Sequence, residues 1–306
     1  MRIDHRTVMK EWRSYLSTER DIRPITAARY ALHVRNWLAY LGKRRKHFSE
    51  ATREDCAKWW AQCKARYSSS SCVQILCALR QFYDWATERK WYDGFNFWTR
   101  FERPQVTHGA RPVIAEEDMY RLLNTQVLDT WQNVRNRTIV AFLYATGLRV
   151  SECAAVSIHE VDLQQKVVYV RNGKGGKTRK QPLPDAIIPL LEEWIEVRSL
   201  RASGTGALFV SRTGKRLGPQ GIRDATKSWC ETVGLKHLPM NPHVLRKSAC
   251  THIYLHGKDI HAVQKFAGHS RPDVTQRYIA TGEAYVHEVV AKHHPLSIWA
   301  RNMAAR

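Results

Sequence analysis

Apolar residues in the first hundred positions recur with a helical period. Val8, Trp12, Tyr15 and Leu16 follow i, i+4, i+7, i+8, and Tyr30, Val34, Trp37, Leu38 and Leu41 repeat that spacing. Thr26 precedes the second run and reads as its N-cap. Thr52-Arg-Glu-Asp55 has the form of a capping box before a third helix holding Trp59 and Trp60. A fourth helix runs from Ser68–Ser71 through Leu76, Leu79, Phe82 and Tyr83. Aromatic stripes at this spacing are core positions rather than platforms for stacking bases. Pro104–Pro112 (PQVTHGARP) breaks the pattern with two prolines, a glycine and no apolar period. It reads as a linker over 104–112, between a helical bundle at 1–103 and a second domain at 113–306.

Beyond the linker, helices are expected around Glu116–Leu123 and Asn136–Thr146. The period then falls to two. Glu160–Leu163, Lys166–Val170 and Thr178–Leu183 predict a short three-stranded sheet, after which helices dominate to the end. The fold class is mostly α with a small antiparallel sheet, the second domain being mixed α+β. Asn172-Gly173 and Gly175-Gly176 are hairpin-turn dipeptides, so RNGKGGKTRK (Arg171–Lys180) reads as a β-hairpin with a basic tip. Its Gly176-Lys177-Thr178 imitates the end of a nucleotide-binding P-loop, but Arg171 stands where the opening glycine belongs. The surrounding strands also lack the strand-to-helix context of that motif.

Charge narrows the choice of partner. Forty-nine lysines and arginines face 28 acids, a formal net charge of +21. Residues 1–103 carry 21 basic and 11 acidic side chains and the remainder 28 and 17, so the excess is not a tail. A long polyanion touching both halves, nucleic acid in the simplest case, fits this distribution. Lys43-Arg44-Arg45-Lys46, between two helices, and Lys177 and Arg179 on the hairpin are the expected DNA contacts. Seven cysteines without a C-x-x-C argue against metal binding and a disulfide framework, and for a reducing cytoplasm. No apolar run reaches the ~18 residues of a membrane span, and MRIDHRTVMKEW lacks a signal-peptide core.

Five short stretches complete the picture. Thr146-Gly-Leu-Arg149-Val-Ser-Glu152 places Arg149 and Glu152 three apart across a helix start, with Gly147 ending one helix and Ser151 or a neighbour opening the next. Lys174 sits in the basic hairpin. His243-Val-Leu-Arg246 follows Asn241-Pro242, Gly268-His269 follows later, and Tyr278 lies nine residues beyond His269. Ser270-Arg-Pro-Asp273 has the S-x-x-D form of a helix start, which would carry Tyr278. Any one of these is ordinary, but their order and spacing together are not. The sequence resembles the tyrosine recombinase family, particularly its Xer-type and phage-integrase-like members, over the whole chain.

The resemblance implies a SAM-like core-binding bundle, then a tyrosine-recombinase catalytic domain, and the breaking and rejoining of DNA through a 3′-phosphotyrosyl ester with neither metal nor ATP. It makes Arg149, Lys174, His243, Arg246, His269 and Tyr278 the catalytic set, with Glu152 in support. A phenol can hold the phosphate as an ester, arginines bind its oxygens through paired N–H groups, and a lysine amid positive charge can protonate the leaving oxygen. Lys177 and Lys180 share the hairpin and remain alternatives to Lys174. Double-stranded DNA with paired half-sites, a homodimer per site and a synaptic homotetramer are implied, with residues 283–306 packing on a neighbouring protomer. A type IB topoisomerase and a DNA-binding protein that never cuts are the competing readings.

Overall fold

The computed structural model describes residues 3–20, 22, 24–106, 112–125, 130–171 and 178–268. The chain divides into two compact units, Met1–His108 and Gly109–Arg306.

The first unit consists of α1 (His5–Thr18), α2 (Pro24–Gly42), α3 (Arg53–Arg66) and α4 (Ser69–Glu88), with 3₁₀ turns at Phe48–Glu50 and Phe97–Arg100. The periodic residues form its interior: Val8, Trp12, Leu16, Val34, Trp37, Leu76 and Phe82 are completely buried. Trp37 donates its indole N–H to the Tyr83 hydroxyl at 3.0 Å, and that hydroxyl donates to the Phe48 carbonyl at 3.0 Å, so the polar tips of these two buried rings are satisfied. Thr52 caps α3, with its own amide N–H donating to Asp55 at 3.0 Å, and Ser68 caps α4. One expected start is corrected. Helix α2 opens at Pro24 rather than at a Thr26 cap, because the fixed φ of proline suits a first helical turn.

The second unit forms around α6 (Trp131–Thr146), whose consecutive residues Ile139–Leu143 are all buried. Against it pack α5 (Glu116–Asn124), α8 (Ile188–Ser199), α9 (Pro219–Thr232) and α10 (Pro242–Gly257). The short α7 (Val150–Ala155) follows α6, and α11 (Ile260–Ala267) packs on α10. Helix α6 starts earlier than the expected Asn136, because Thr130 accepts the Asn133 N–H at 3.2 Å and caps an extra turn.

The sheet is antiparallel in the order β1 (Val161–Asp162), β2 (Val167–Arg171), β3 (Thr178–Pro182). Its register pairs Val168 with Gln181, Tyr169 with Lys180 and Val170 with Arg179. Directly opposed residues share a face. Val168, Val170 and Gln181 are buried, so Arg179 belongs to the inner face. Lys180 belongs to the outer one, its ammonium 5.5 Å from the Tyr169 ring centroid. The Lys174 and Lys177 assignments fall on the hairpin tip, 172–177, outside the described residues, as do those of His269, Tyr278 and 283–306.

Candidate active site

The site begins where α6 ends. Gly147 adopts φ 58°, and its N–H closes the helix on the Leu143 carbonyl at 2.9 Å. Glycine is required twice over: φ is positive, and a Cβ would come within 2.5 Å of the Phe266 ring on α11. Two residues later Arg149 takes the N-cap position, and α7 opens at Val150, beside Ser151. The Arg149 backbone N–H donates to Glu152 at 2.9 Å, and its Nη1 donates to the same carboxylate at 3.0 Å. The Arg149 side chain remains 47% exposed and Glu152 only 12%.

Arg179 completes this ion cluster from β3. Its Nη1 and Nη2 donate to Glu152 Oε1 and Oε2 at 3.1 and 3.0 Å, a two-pronged fork, and the side chain is 17% exposed. Arg179, expected among the DNA contacts, is engaged by Glu152 in this structure. The strand register turns the side chain to the buried face, where a carboxylate meets it. Burial pushes the Glu152 carboxyl up. The Arg179 fork, the Arg149 amide and the two guanidinium charges outweigh burial and bring the carboxyl down to about 2. Glu152 is therefore an anion at neutral pH. Arg216 pins the far end of α7, donating from Nη1 to the carbonyls of Ala154, Ala155 and Val156 at 2.7–3.0 Å.

The second arginine enters from α10. Asn241 caps that helix through the His243 and Val244 amides at 3.0 and 3.1 Å, and Pro242 occupies its first turn. His243 stands exposed at the helix start, while Arg246, one turn on, is buried. The Arg246 guanidinium donates to the Gly147 carbonyl and to the Ala267 carbonyl. Gly268, the residue before His269, has φ 59°, and a Cβ there would lie 3.2 Å from Arg179 Cζ. Four segments far apart in sequence thus meet: the turn Gly147–Glu152, strand β3, helix α10 and the end of α11.

In the first unit, the expected basic cluster divides. Lys43 and Arg45 lie on the exposed surface. Lys46 instead bonds at 2.6 Å to Asp55, whose residue is 6% exposed, and the Arg44 guanidinium sits 3.7 Å over the Tyr40 ring. Burying a carboxylate demands a cation, which is why Lys46 is committed to the fold. All seven cysteines are free thiols. Burial raises Cys56, Cys63 and Cys250, the last to about 11, so these thiols are poor nucleophiles.

The sequence profile of the phage integrase family matches residues 112–284, and that of the phage integrase N-terminal SAM-like domain matches residues 9–90. Tyrosine recombinase XerC of Escherichia coli O1:K1 / APEC is 28% identical over 305 residues, covering 95% of this chain and 97% of that protein. The crystal structure of XerA recombinase superposes with a TM-score of 0.54 at 25% identity, over 94% of this chain and 99% of its own. XerH site-specific recombinase, bound to palindromic difH substrate in a post-cleavage complex, gives a TM-score of 0.73 at 17% identity, over 93% and 84%. The likeness to XerH is one of fold.

Proposed function

Because the chain belongs to the phage integrase family, and is a site-specific tyrosine recombinase of the Xer type that breaks and rejoins DNA strands, we propose that Tyr278 is its nucleophile. Tyr278 attacks the scissile phosphorus. His243, at the exposed start of α10, takes the phenolic proton, and the bond to the 5′ oxygen breaks as Lys174 protonates it. Arg149, Arg246 and His269 bind the oxygens on which charge accumulates. The 3′-phosphotyrosyl ester retains the energy of the broken bond, so the reverse attack by a 5′ hydroxyl reseals the strand.

One observation carries the reading. The guanidinium of Arg246 bridges the carbonyls of Gly147 and Ala267, which brings the Arg149 turn and the end of α11 together from positions 99 and 21 residues away. A recombinase needs this convergence, because its phosphate-binding groups come from separate boxes of the chain. The outer-face position of Lys180 favours the hairpin tip as the source of the general acid.

Residues 1–103 act as the core-binding domain, joined by 104–112 to the catalytic domain 113–306. Exposed Lys43 and Arg45 contact the DNA backbone, and Lys177 does so from the hairpin. The protein binds as a dimer on paired half-sites and recombines as a tetramer, with residues 283–306 bridging protomers. Among the described residues no helix is long and apolar enough to cross a membrane, and a cytoplasmic enzyme at the nucleoid accords with a DNA substrate. The test is a nicked substrate that loses its short downstream strand on cleavage. Wild type accumulates a covalent protein–DNA adduct and Tyr278→Phe gives none. An adduct formed equally by both would refute the assignment.

A further inference from the structure

Each oxygen of the Glu152 carboxylate accepts two hydrogen bonds, and the two arginines that supply them hold it differently. Oε1 takes Nη1 of Arg149 and Nη1 of Arg179 at 3.0 and 3.1 Å, and Oε2 takes the Arg149 amide and Arg179 Nη2 at 2.9 and 3.0 Å. Arg149 commits one side-chain nitrogen and is half in water, whereas Arg179 commits both terminal nitrogens and is mostly buried. A single N–H···O bond lets a guanidinium swivel about it. A two-pronged pairing fixes direction as well as distance, and lysine cannot reproduce it. Gly268 packs so close to this guanidinium that a Cβ there would lie 3.2 Å from Arg179 Cζ, which leaves the fork little room to shift. The direction of the carboxylate is therefore set from β3, and the direction of Arg149 is set by the carboxylate. Charge points the same way. Burial raises the Glu152 carboxyl, and among the influences that lower it the Arg179 hydrogen bonds come first. Without them the carboxyl would take up a proton more readily and would offer Arg149 a neutral partner in place of an anion.

We propose that Arg179 is a positioning residue for Arg149: forked onto Glu152, it fixes the carboxylate that aims the Arg149 guanidinium at the scissile phosphate. The proposal rests on Arg149 as a phosphate-binding residue. It assigns Arg179 no contact with DNA, although its charge and its place on a basic strand suggest one.

The test compares two nicked substrates that differ only at the scissile phosphate. One is an ordinary phosphodiester. The other is a methylphosphonate, in which a methyl group replaces one non-bridging oxygen and removes the negative charge. In both, the Tyr278 oxygen bonds to phosphorus and the 5′ oxygen leaves. The neutral centre needs less help from a cation, so a variant whose fault is a lost or misaimed phosphate-binding arginine recovers on it, relative to wild type on the same substrate. Single-turnover cleavage is measured for wild type, Arg149→Ala, Arg179→Gln, Arg179→Lys and the double variant Arg149→Ala with Arg179→Gln, at a temperature where thermal unfolding shows each to be folded. Misaiming Arg149 by about 1 Å should slow Arg179→Gln on the phosphodiester by ~10–10²-fold, and on the methylphosphonate it should return to within about threefold of wild type. Arg149→Ala should recover likewise. The double variant should cleave the phosphodiester within about threefold of Arg149→Ala, because a positioning residue does nothing once its object is gone.

If Arg149→Ala recovers on the methylphosphonate and neither Arg179 variant does, the positioning role is overturned while Arg149 keeps its phosphate. If Arg149→Ala itself does not recover, the reading of Arg149 falls and takes this proposal with it. A double variant slower than Arg149→Ala by the whole Arg179→Gln factor would mean that Arg179 acts independently of Arg149, and would refute the proposal. So would an Arg179→Gln variant that cleaves the phosphodiester at the wild-type rate. Should Arg179→Gln not fold, Arg179→Lys keeps a charge beside Glu152 without the fork. The same recovery, and no added loss when it is combined with Arg149→Ala, are then the results expected.

Discussion

The two units carry similar excesses of positive charge and handle them differently. In the helical unit the interior is aromatic and the cations of the 43–46 cluster stay at its rim: Lys46 neutralises the cap of α3, Arg44 lies on a ring, and Lys43 and Arg45 face solvent. In the second unit guanidinium groups go inside. Arg246 is 3% exposed, held by two carbonyls, and Arg179 is forked onto a carboxylate that is itself nearly buried. A cation at the rim can be exchanged for another with small loss. A buried one has been stripped of water and is tolerated only in a fixed geometry, and a fixed geometry is what a transition state requires.

Breaking that contrast at its strongest point means removing Arg246. Arg246→Ala should lower single-turnover cleavage by at least ~10²–10³-fold and destabilise the second unit by about 2–4 kcal/mol, because two carbonyls lose their donor in a buried place. Arg149→Ala should cost a similar factor in cleavage yet change stability by only about 0.5–1 kcal/mol, since its side chain is half in water. Urea unfolding beside cleavage rates separates the two. Equal stability losses would erase the distinction between a buried and an exposed arginine.

Glu152 sharpens the comparison through pH. Its folded carboxyl lies at about 2 against an ordinary 4.5, so its contribution to stability is fully present above pH 4.5 and is lost as the pH falls toward 2. Glu152→Gln should therefore be less stable than wild type at pH 7 by about 1–3 kcal/mol, and the gap should narrow steadily below pH 4.5. A gap that is constant from pH 7 to pH 3 would mean that the charge on Glu152 is not what holds the two arginines.

Much of this was readable from residue order. Thr52, Ser68, Gly147 and Asn241 end or open helices as their chemistry dictates, and Trp12, Trp37 and Trp60 lie in the core as their spacing predicts, while Trp59 packs partly buried against it. Tertiary partners decided what spacing did not. Lys46 reads as surface charge until Asp55, nine residues on, is seen to be buried beside it. The Arg216 clasp on the end of α7 joins residues about sixty apart and leaves no local trace. Arg179 did leave one. Leu183 is buried, and a period of two puts Gln181 and Arg179 on its side of the chain and Lys180 on the other. Reading TRKQPL by parity rather than by charge would have turned Arg179 inward.

The smallest effects belong to the rim of the helical unit. Lys43→Ala and Arg45→Ala should each reduce the salt dependence of DNA binding by about one in slope, with stability unchanged. Lys46→Ala should do the reverse, lowering stability by about 1–3 kcal/mol with little change in slope, because its charge serves Asp55.

The account as a whole depends on which atom becomes joined to DNA. Trapping the covalent complex on a nicked substrate, digesting both components and locating the nucleotide-bearing peptide by mass spectrometry identifies that atom directly. The account predicts a nucleotide 3′-phosphate esterified to Tyr278 and to no other residue. A modified serine, a different tyrosine, or a 5′-linked adduct would contradict it.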